Sequence, residues 1–216
     1  MPQETVLLST ACFPPISWFS LLLHHKVRIE NRENYQRQTY RNRCLISSER
    51  GILPLTIPVN KPQGHHTPVT EVRIFNGEKW YLKQWRAIQS AYEASPFFIY
   101  YRDDIEPFFR GRYSLLSLFN LEIIKKMCEL LEITPQISLT TTFEKSPSGA
   151  IDLREAFSPK KKPAGTFPQY TQVFSDRHGF IPDLSILDLL FNLGPESRGY
   201  LSKVYLDIPA AIRHSG

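Results

Sequence analysis

The first thirty residues contain a pattern that restricts the fold to few choices. Thr5 to Thr10 is a short apolar run, which is typical of a buried strand. Pro14 and Pro15 interrupt the chain, and Ile16 to His24 is then apolar on almost every face of a helix. Lys26 to Glu30 alternates between apolar and charged residues, which predicts a second strand. A strand, a tight loop and a helix in this order predict an α/β protein, whose ligands gather at the carboxyl ends of the strands.

The rest of the chain supplies further elements of the same kind. Alternating runs predict a hairpin of residues 44–46 and 52–59 around a turn at 47–51, and further strands at 69–75, 137–143 and 169–174. Helical spacing predicts helices at 80–94, 114–131 and 184–192, the last with Asp183 as its N-cap and Gly194 as its end. We therefore predict a single α/β domain over residues 1–216, with a mixed sheet flanked by helices. Residues 144–168, rich in proline and lysine, are predicted to form an irregular loop.

The stretch from Val27 to Ile46 is unusually basic. It contains five arginines and two acids: Arg28, Arg32, Arg37, Arg41, Arg43, Glu30 and Glu33. An unpaired guanidinium is too costly to bury, so this stretch is either a solvated surface or an anion site. If residues 35–43 form a helix, Arg37 and Arg41 share one face and repel each other unless an anion lies between them. This spacing favours a phosphate or carboxylate ligand, with a solvated loop as the alternative.

The composition of the chain limits the other classes of function that it could have. Lys and Arg exceed Asp and Glu by 26 to 21, which gives a net charge of +5. That mild excess suits a phosphorylated ligand and, without a recognisable motif, does not predict nucleic-acid binding. Cys12, Cys44 and Cys128 lie far apart, so we predict reduced thiols and no metal site. No apolar run is long enough for a membrane span, and a cytoplasmic protein is expected. The sequence identifies no cofactor.

Three stretches together resemble the WbqC-like family, in the shorter form associated with Bacteroidetes. They are LLSTACFPPISWF, NYQRQTYRNRCLI with LTIPV after it, and QVFSDRHGFIPDLSILDLLFNLGPES. The resemblance covers residues 5–200 and includes Arg37, the triplet Arg41-Asn42-Arg43 and Asp188. It departs at Ser9-Thr10, where many members have Gln-Pro. Since the family is known mainly from gene clusters for O-antigen and other surface polysaccharides, the resemblance implies a cytosolic step on a nucleotide sugar.

Two functional hypotheses follow. In the first, an enzyme transfers an acyl or aminoacyl group to a nucleotide-linked amino sugar, with His178 and Asp188 as the catalytic residues and His178 as the general base. In the second, the same arginines belong to a non-catalytic module that binds a sugar-linked diphosphate or an acidic partner protein. The predicted ligand-binding residues are Tyr35, Arg37, Tyr40, Arg41, Asn42, Arg43, Arg154 and Lys160. Convergence of His178, Tyr35 and Asp188 on the arginines would favour the enzyme, whereas His178 is otherwise a turn residue.

Two contacts are predicted as well. The first loop, residues 9–15, and the segment 37–43 both follow strands of the amino-terminal half, so they should face the same cleft. Asp188 lies in an apolar helix and needs a partner, for which Arg41 or Arg43 is expected first and Arg154 and Lys160 are rivals.

Overall fold

A sheet of four parallel strands forms the centre of the computed structural model, which describes residues 4–207. Numbered in chain order and given in spatial order, the strands are β7 (Ile137–Leu139), β2 (Lys26–Glu30), β1 (Thr5–Ser9) and β8 (Ile151–Asp152). Val6 pairs with Val27 and Leu8 with Ile29, and all four side chains are buried. Such continuous apolar strands are typical of a parallel sheet covered on both faces. The predicted single-domain α/β class is confirmed.

Helix α1 (Ile16–His24) connects the parallel strands β1 and β2 and has the predicted boundaries. Residues 16–22 are all buried, as expected for a helix that is apolar on nearly every face. The first loop of the βα unit therefore lies at the carboxyl end of β1, where α1 begins.

In the part of the chain that the structure describes, antiparallel strands form three separate two-stranded sheets. The pairs are β3 (Arg43–Ser48) with β4 (Gly51–Thr56), β5 (Val59–Asn60) with β6 (Arg73–Ile74), and β9 (Gly165–Thr166) with β10 (Tyr205–Leu206). The predicted hairpin around residues 47–51 is present. Pro54 is tolerated in β4 because a two-stranded sheet leaves one side of the strand without a pairing requirement.

Six further helices of residues 4–207 pack around these sheets. They are α2 (Trp80–Tyr92), α3 (Phe98–Ile105), α4 (Leu116–Leu130), α5 (Ser175–His178), α6 (Ile186–Leu193) and α7 (Ser197–Leu201). The predicted helices at 80–94, 114–131 and 184–192 are confirmed within a few residues. Aromatic contacts join α2 to α4, since the rings of Trp80 and Phe119 meet edge to face at 6.3 Å. No helix within residues 4–207 is long and apolar enough to cross a membrane.

Some local predictions are wrong. Residues 35–43 form turns and no helix: Gln38 has a φ of 59°, and the Thr39 hydroxyl donates to the Gln36 carbonyl. The predicted strand 69–75 begins as a 3-10 helix, and only β6 within it is extended and paired. Residues 169–174 have no strand partner among the described residues, and the Gln172 side chain instead donates to the Ile181 carbonyl and to the Asp188 carboxylate. Within 144–168, the paired strands are β8 and β9.

Candidate functional site

Charged side chains cross-link the carboxyl edge of the parallel sheet. Glu30, at the end of β2, accepts a hydrogen bond from the Thr140 hydroxyl at 2.7 Å and one from Arg154 Nη1 at 3.0 Å. Arg154 also donates Nε and Nη2 to the Asp152 carboxylate at 2.9 and 2.6 Å. Burial raises the pKa of Asp152, but the hydrogen bonds from Arg154 outweigh it and hold this pKa below its ordinary value. Arg154, predicted to bind ligand, is therefore occupied by internal carboxylates.

Arg41 is the second paired arginine of this edge. It is 2% exposed and donates Nε and Nη2 to the two carboxylate oxygens of Glu33 at 2.8 and 2.7 Å. Burial raises the pKa of Glu33, and the bonds and charge of Arg41 partly offset that rise. Glu155 completes the group, since its Oε1 accepts from Gln36 Nε2 at 2.8 Å and lies 3.5 Å from Arg41 Nη2. Arg41 thus acts as a structural partner of Glu33.

The first loop and the segment 37–43 are in direct contact. The Cys12 N–H donates to the Tyr40 carbonyl at 2.8 Å, and Asn120 Nδ2 donates to both Thr10 Oγ1 and the Arg41 carbonyl. The predicted proximity of the two segments is confirmed. Tyr40, predicted to contact ligand, is buried at 8% exposure, and this burial raises its pKa.

Beside these paired arginines lie three cationic side chains that form no ion pair with any carboxylate of residues 4–207. We call them the basic cluster: Arg37, Arg43 and Lys61. The Arg43 Nε and Lys61 Nζ atoms are covered by protein yet make no hydrogen bond to a described residue. An anion that reached these two atoms would give them the hydrogen-bond partners that they lack.

Tyr35 lies close to the arginines of the basic cluster. Burial raises the pKa of Tyr35 to about 12, and the charges of Arg43, Arg41 and Arg37 act in the opposite direction. Desolvation and the charge of Arg37 lower the pKa of Lys61, so these two cations also lie close to each other. The hydroxyl of Tyr35 therefore stays protonated and lies among positive charges. In this position it could donate a hydrogen bond to a bound anion.

Backbone contacts bring the members of the basic cluster together from separate segments. The Tyr35 N–H donates to the Thr67 carbonyl, which fixes the loop that follows Lys61 against the arginine-rich segment. Asn42 Nδ2 and the Asn42 carbonyl both bond to the backbone of Ile57, which anchors the chain just before Lys61. Asn42, predicted to bind ligand, has its Oδ1 covered and without a partner in the described chain.

The amino terminus of α1, where an α/β fold commonly binds an anion, is filled by the protein itself. Asp183 Oδ1 accepts from the Ser17 N–H at 2.7 Å and Oδ2 from the Ser17 hydroxyl at 2.8 Å. Burial raises the pKa of Asp183 to about 7, although both bonds from Ser17 lower it. The prediction that Asp183 caps the helix at 184–192 is wrong. Ser185 is the N-cap of α6, and Asp183 caps α1 instead.

The predicted pairing of Asp188 with an arginine is also wrong. Asp188 is 0% exposed and accepts hydrogen bonds from the hydroxyls of Tyr92 and Tyr170 at 2.9 and 2.6 Å and from Gln172 Nε2 at 2.9 Å. These three neutral donors satisfy both carboxylate oxygens, so no cation is required. Burial raises the pKa of Asp188, and the donors offset part of that rise.

His178 and Lys160 lie apart from these contacts. His178 is exposed, and its Nε2 lies 2.9 Å from the carbonyl of Glu49 at the tip of the β3–β4 hairpin. Arg43 begins the same strand β3 and is roughly 20 Å from that tip, at about 3.3 Å per residue. Lys160 is exposed, and its backbone N–H donates to the Ser158 hydroxyl. His178, Tyr35 and Asp188 therefore do not converge.

Sequence reasoning missed Lys61, Glu33 and Asn120 as members of this region. Lys61 stands in a loop whose adjacent histidines carry the more obvious chemistry, and no local pattern relates it to Arg37 or Arg43. Glu33 is one of only two acids in the basic stretch. Because acids are so few there, its presence was the one sequence signal that it pairs with a specific arginine.

Comparison with known proteins shows which family this chain resembles. Residues 10–161 match the profile of the WbqC-like protein family. An uncharacterised protein of Mycobacterium tuberculosis, Rv1507c, is 26% identical over 196 residues, covering 77% of this chain and 83% of the relative. No solved structure gives a significant match. Because the family match covers more than half of the chain and includes the basic cluster and both ion-paired arginines, this chain belongs to the WbqC-like protein family.

Proposed function

We propose that this protein binds a phosphorylated small molecule at the basic cluster. One observation carries the proposal: Arg37, Arg43 and Lys61 have no carboxylate partner among residues 4–207, whereas Arg41 and Arg154 nearby are both paired. Cations this close repel one another, and a phosphate between them would convert that repulsion into charge-assisted hydrogen bonds. Arg43 Nε and Lys61 Nζ would then gain the partners that they lack.

The ligand proposed for this site is a nucleotide-linked sugar. Resemblance to WbqC-like proteins associates the chain with synthesis of O-antigen-type polysaccharides in the cytosol, where sugars are carried on nucleoside diphosphates. Two guanidinium groups and one ammonium would neutralise the negative charge of a diphosphate, and Tyr35 would donate its hydroxyl to a phosphate or sugar oxygen. Binding without catalysis is the function that this geometry favours, because His178 and Asp188 are held elsewhere.

Transfer of an acyl or aminoacyl group to an amino sugar is the second candidate, and it needs a base near the cluster. Glu155 is the observation in its favour. Its exposed carboxylate is hydrogen-bonded to Gln36, which stands between Tyr35 and Arg37 in the sequence. An exposed carboxylate beside the proposed site is placed to accept a proton from a sugar amine or hydroxyl. Glu155→Gln would abolish transfer while leaving affinity for the nucleotide sugar unchanged.

Isothermal titration calorimetry with a uridine diphosphate hexosamine tests the binding proposal. Arg43→Ala and Arg37→Ala should each weaken binding by about 1–3 kcal/mol, which is roughly 5- to 150-fold in Kd. Arg50→Ala, an exposed arginine at the β3–β4 turn, is the matched control and should leave the Kd unchanged. Thermal stability of all three variants should stay within about 0.5 kcal/mol of the parent.

Two results would contradict the proposal. Equal weakening by Arg50→Ala would mean that general positive charge attracts the ligand. Loss of stability with intact affinity in Arg43→Ala would make Arg43 a structural residue.

A further inference from the structure

A second, chemically different pocket lies between α4 and the edge of the parallel sheet. Its volume is about 360 Å³, within the range of small-molecule sites. Ile29 of β2, Ile124 and Cys128 of α4 and Ile133 after that helix form an apolar part of its lining. It shares no residue with the basic cluster, so its ligand is independent of the function proposed above.

The lining disfavours water. Each of the four side chains named above is at most 7% exposed, and none offers a strong hydrogen-bonding group to the pocket. Water molecules need two to four polar partners, so hydrocarbon should displace them favourably.

Two exposed leucines lie next to lining residues of the pocket, one on each of its walls. Leu118 is 54% exposed and precedes Leu121, a pocket residue, by three positions on α4, so the two lie on neighbouring parts of one helix face. Leu139 is 41% exposed and follows the pocket residue Ile137 by two positions on β7, on the same face of the strand. Apolar surface on both walls extends the area that an aliphatic chain could cover beyond the pocket itself.

The rim supplies one positive charge. Lys125 and Glu129 both line the pocket. Glu129 is paired with Lys126 at 3.0 Å, whereas the Lys125 ammonium forms no ion pair with any described carboxylate. Charge complementarity at the mouth therefore favours an anionic head group.

We propose that this pocket binds a medium-chain fatty acid, with the aliphatic chain against Ile29, Ile124, Cys128 and Ile133 and the carboxylate at Lys125. Such a ligand meets both features at once: an apolar interior and, at the entrance, the Lys125 ammonium without a described carboxylate partner.

Titration calorimetry with linear carboxylates from hexanoate to dodecanoate, kept below micelle formation, tests the inference. Affinity should rise about fourfold per added methylene until the chain outgrows the pocket, and then level off. Decanoate should bind more tightly than decanol, and decanol more tightly than decyltrimethylammonium. Bound decanoate should also slow alkylation of Cys128 by iodoacetamide, which mass spectrometry localises.

Substitutions identify the site. Thr134 is exposed and lines the pocket, so Thr134→Trp should block it and reduce decanoate affinity at least tenfold without unfolding the protein. Lys125→Glu should reduce affinity for decanoate but not for decanol, and Lys203→Glu, the same charge change at an exposed position elsewhere, should affect neither. No binding would overturn the proposal. So would binding that ignores Thr134→Trp and leaves Cys128 unprotected, since the ligand would then sit elsewhere.

Discussion

Arg41→Ala should cause a large loss of stability, because it removes one half of a buried ion pair. Arg41 and Glu33 are 2% and 5% exposed and share two hydrogen bonds of 2.8 and 2.7 Å. Removing the guanidinium leaves the Glu33 carboxylate buried without its paired cation, which typically costs about 3–5 kcal/mol. In a domain of this length, each kcal/mol of lost stability lowers the melting temperature by roughly 2–4 °C. The melting temperature of Arg41→Ala should therefore fall by roughly 6–20 °C.

Urea unfolding followed by tryptophan fluorescence measures this change, with Arg50→Ala as the matched control at about 0.5 kcal/mol or less. The double variant Arg41→Met with Glu33→Leu should be more stable than Arg41→Ala alone, because it leaves no unpaired charge. The penalty should also depend on pH. Glu33 has a raised pKa in the folded protein, so its burial is best tolerated below its ordinary value of 4.5 and becomes costly as pH rises.

The destabilisation by Arg41→Ala should therefore be larger at pH 7 than at pH 5. A loss within 0.5 kcal/mol, or one of equal size at both pH values, would refute this reasoning. The first result would mean that Glu33 finds another partner. The second would mean that lost packing of the long arginine side chain, and not an unpaired charge, explains the effect.

Two further predictions concern the buried aspartates of the carboxyl-terminal part. Asp188→Ala should destabilise the protein by about 3–5 kcal/mol in urea unfolding, because it leaves donors of Tyr92, Tyr170 and Gln172 unsatisfied. Asp188→Asn keeps an acceptor and should cost less. Equal costs of the two substitutions would contradict the role of these bonds. Asp183 has a pKa raised from 3.8 to about 7, so its contribution to stability is fully present below pH 3.8 and is lost as pH rises through about 7, by on the order of 4 kcal/mol. Asp183→Asn, which tolerates the φ of 57°, should flatten this part of the pH–stability curve, and an unchanged slope would assign it to other groups.

Much of the fold followed from local sequence patterns. The apolar run at residues 5–10, the two prolines after it and the apolar helix that follows them determine β1, α1 and β2, and their boundaries were predicted closely. Such elements are set by side-chain periodicity and by the restricted backbone of proline, which act over neighbouring residues. The family resemblance likewise rested on the order of short motifs, and the match over residues 10–161 confirms it.

Only the tertiary structure decided which charges are paired. Arg154 meets Glu30 across 124 residues of sequence, and Asp183 caps a helix that begins 167 residues before it, at Ile16. The same packing satisfies Asp188 with neutral donors and leaves Arg43 and Lys61 without a carboxylate partner among residues 4–207. Periodicity marks which residues are apolar or charged, but pairing depends on distances between chain segments that only folding brings together. The sequence therefore identified the basic stretch, and the fold decided which of its arginines are paired with carboxylates.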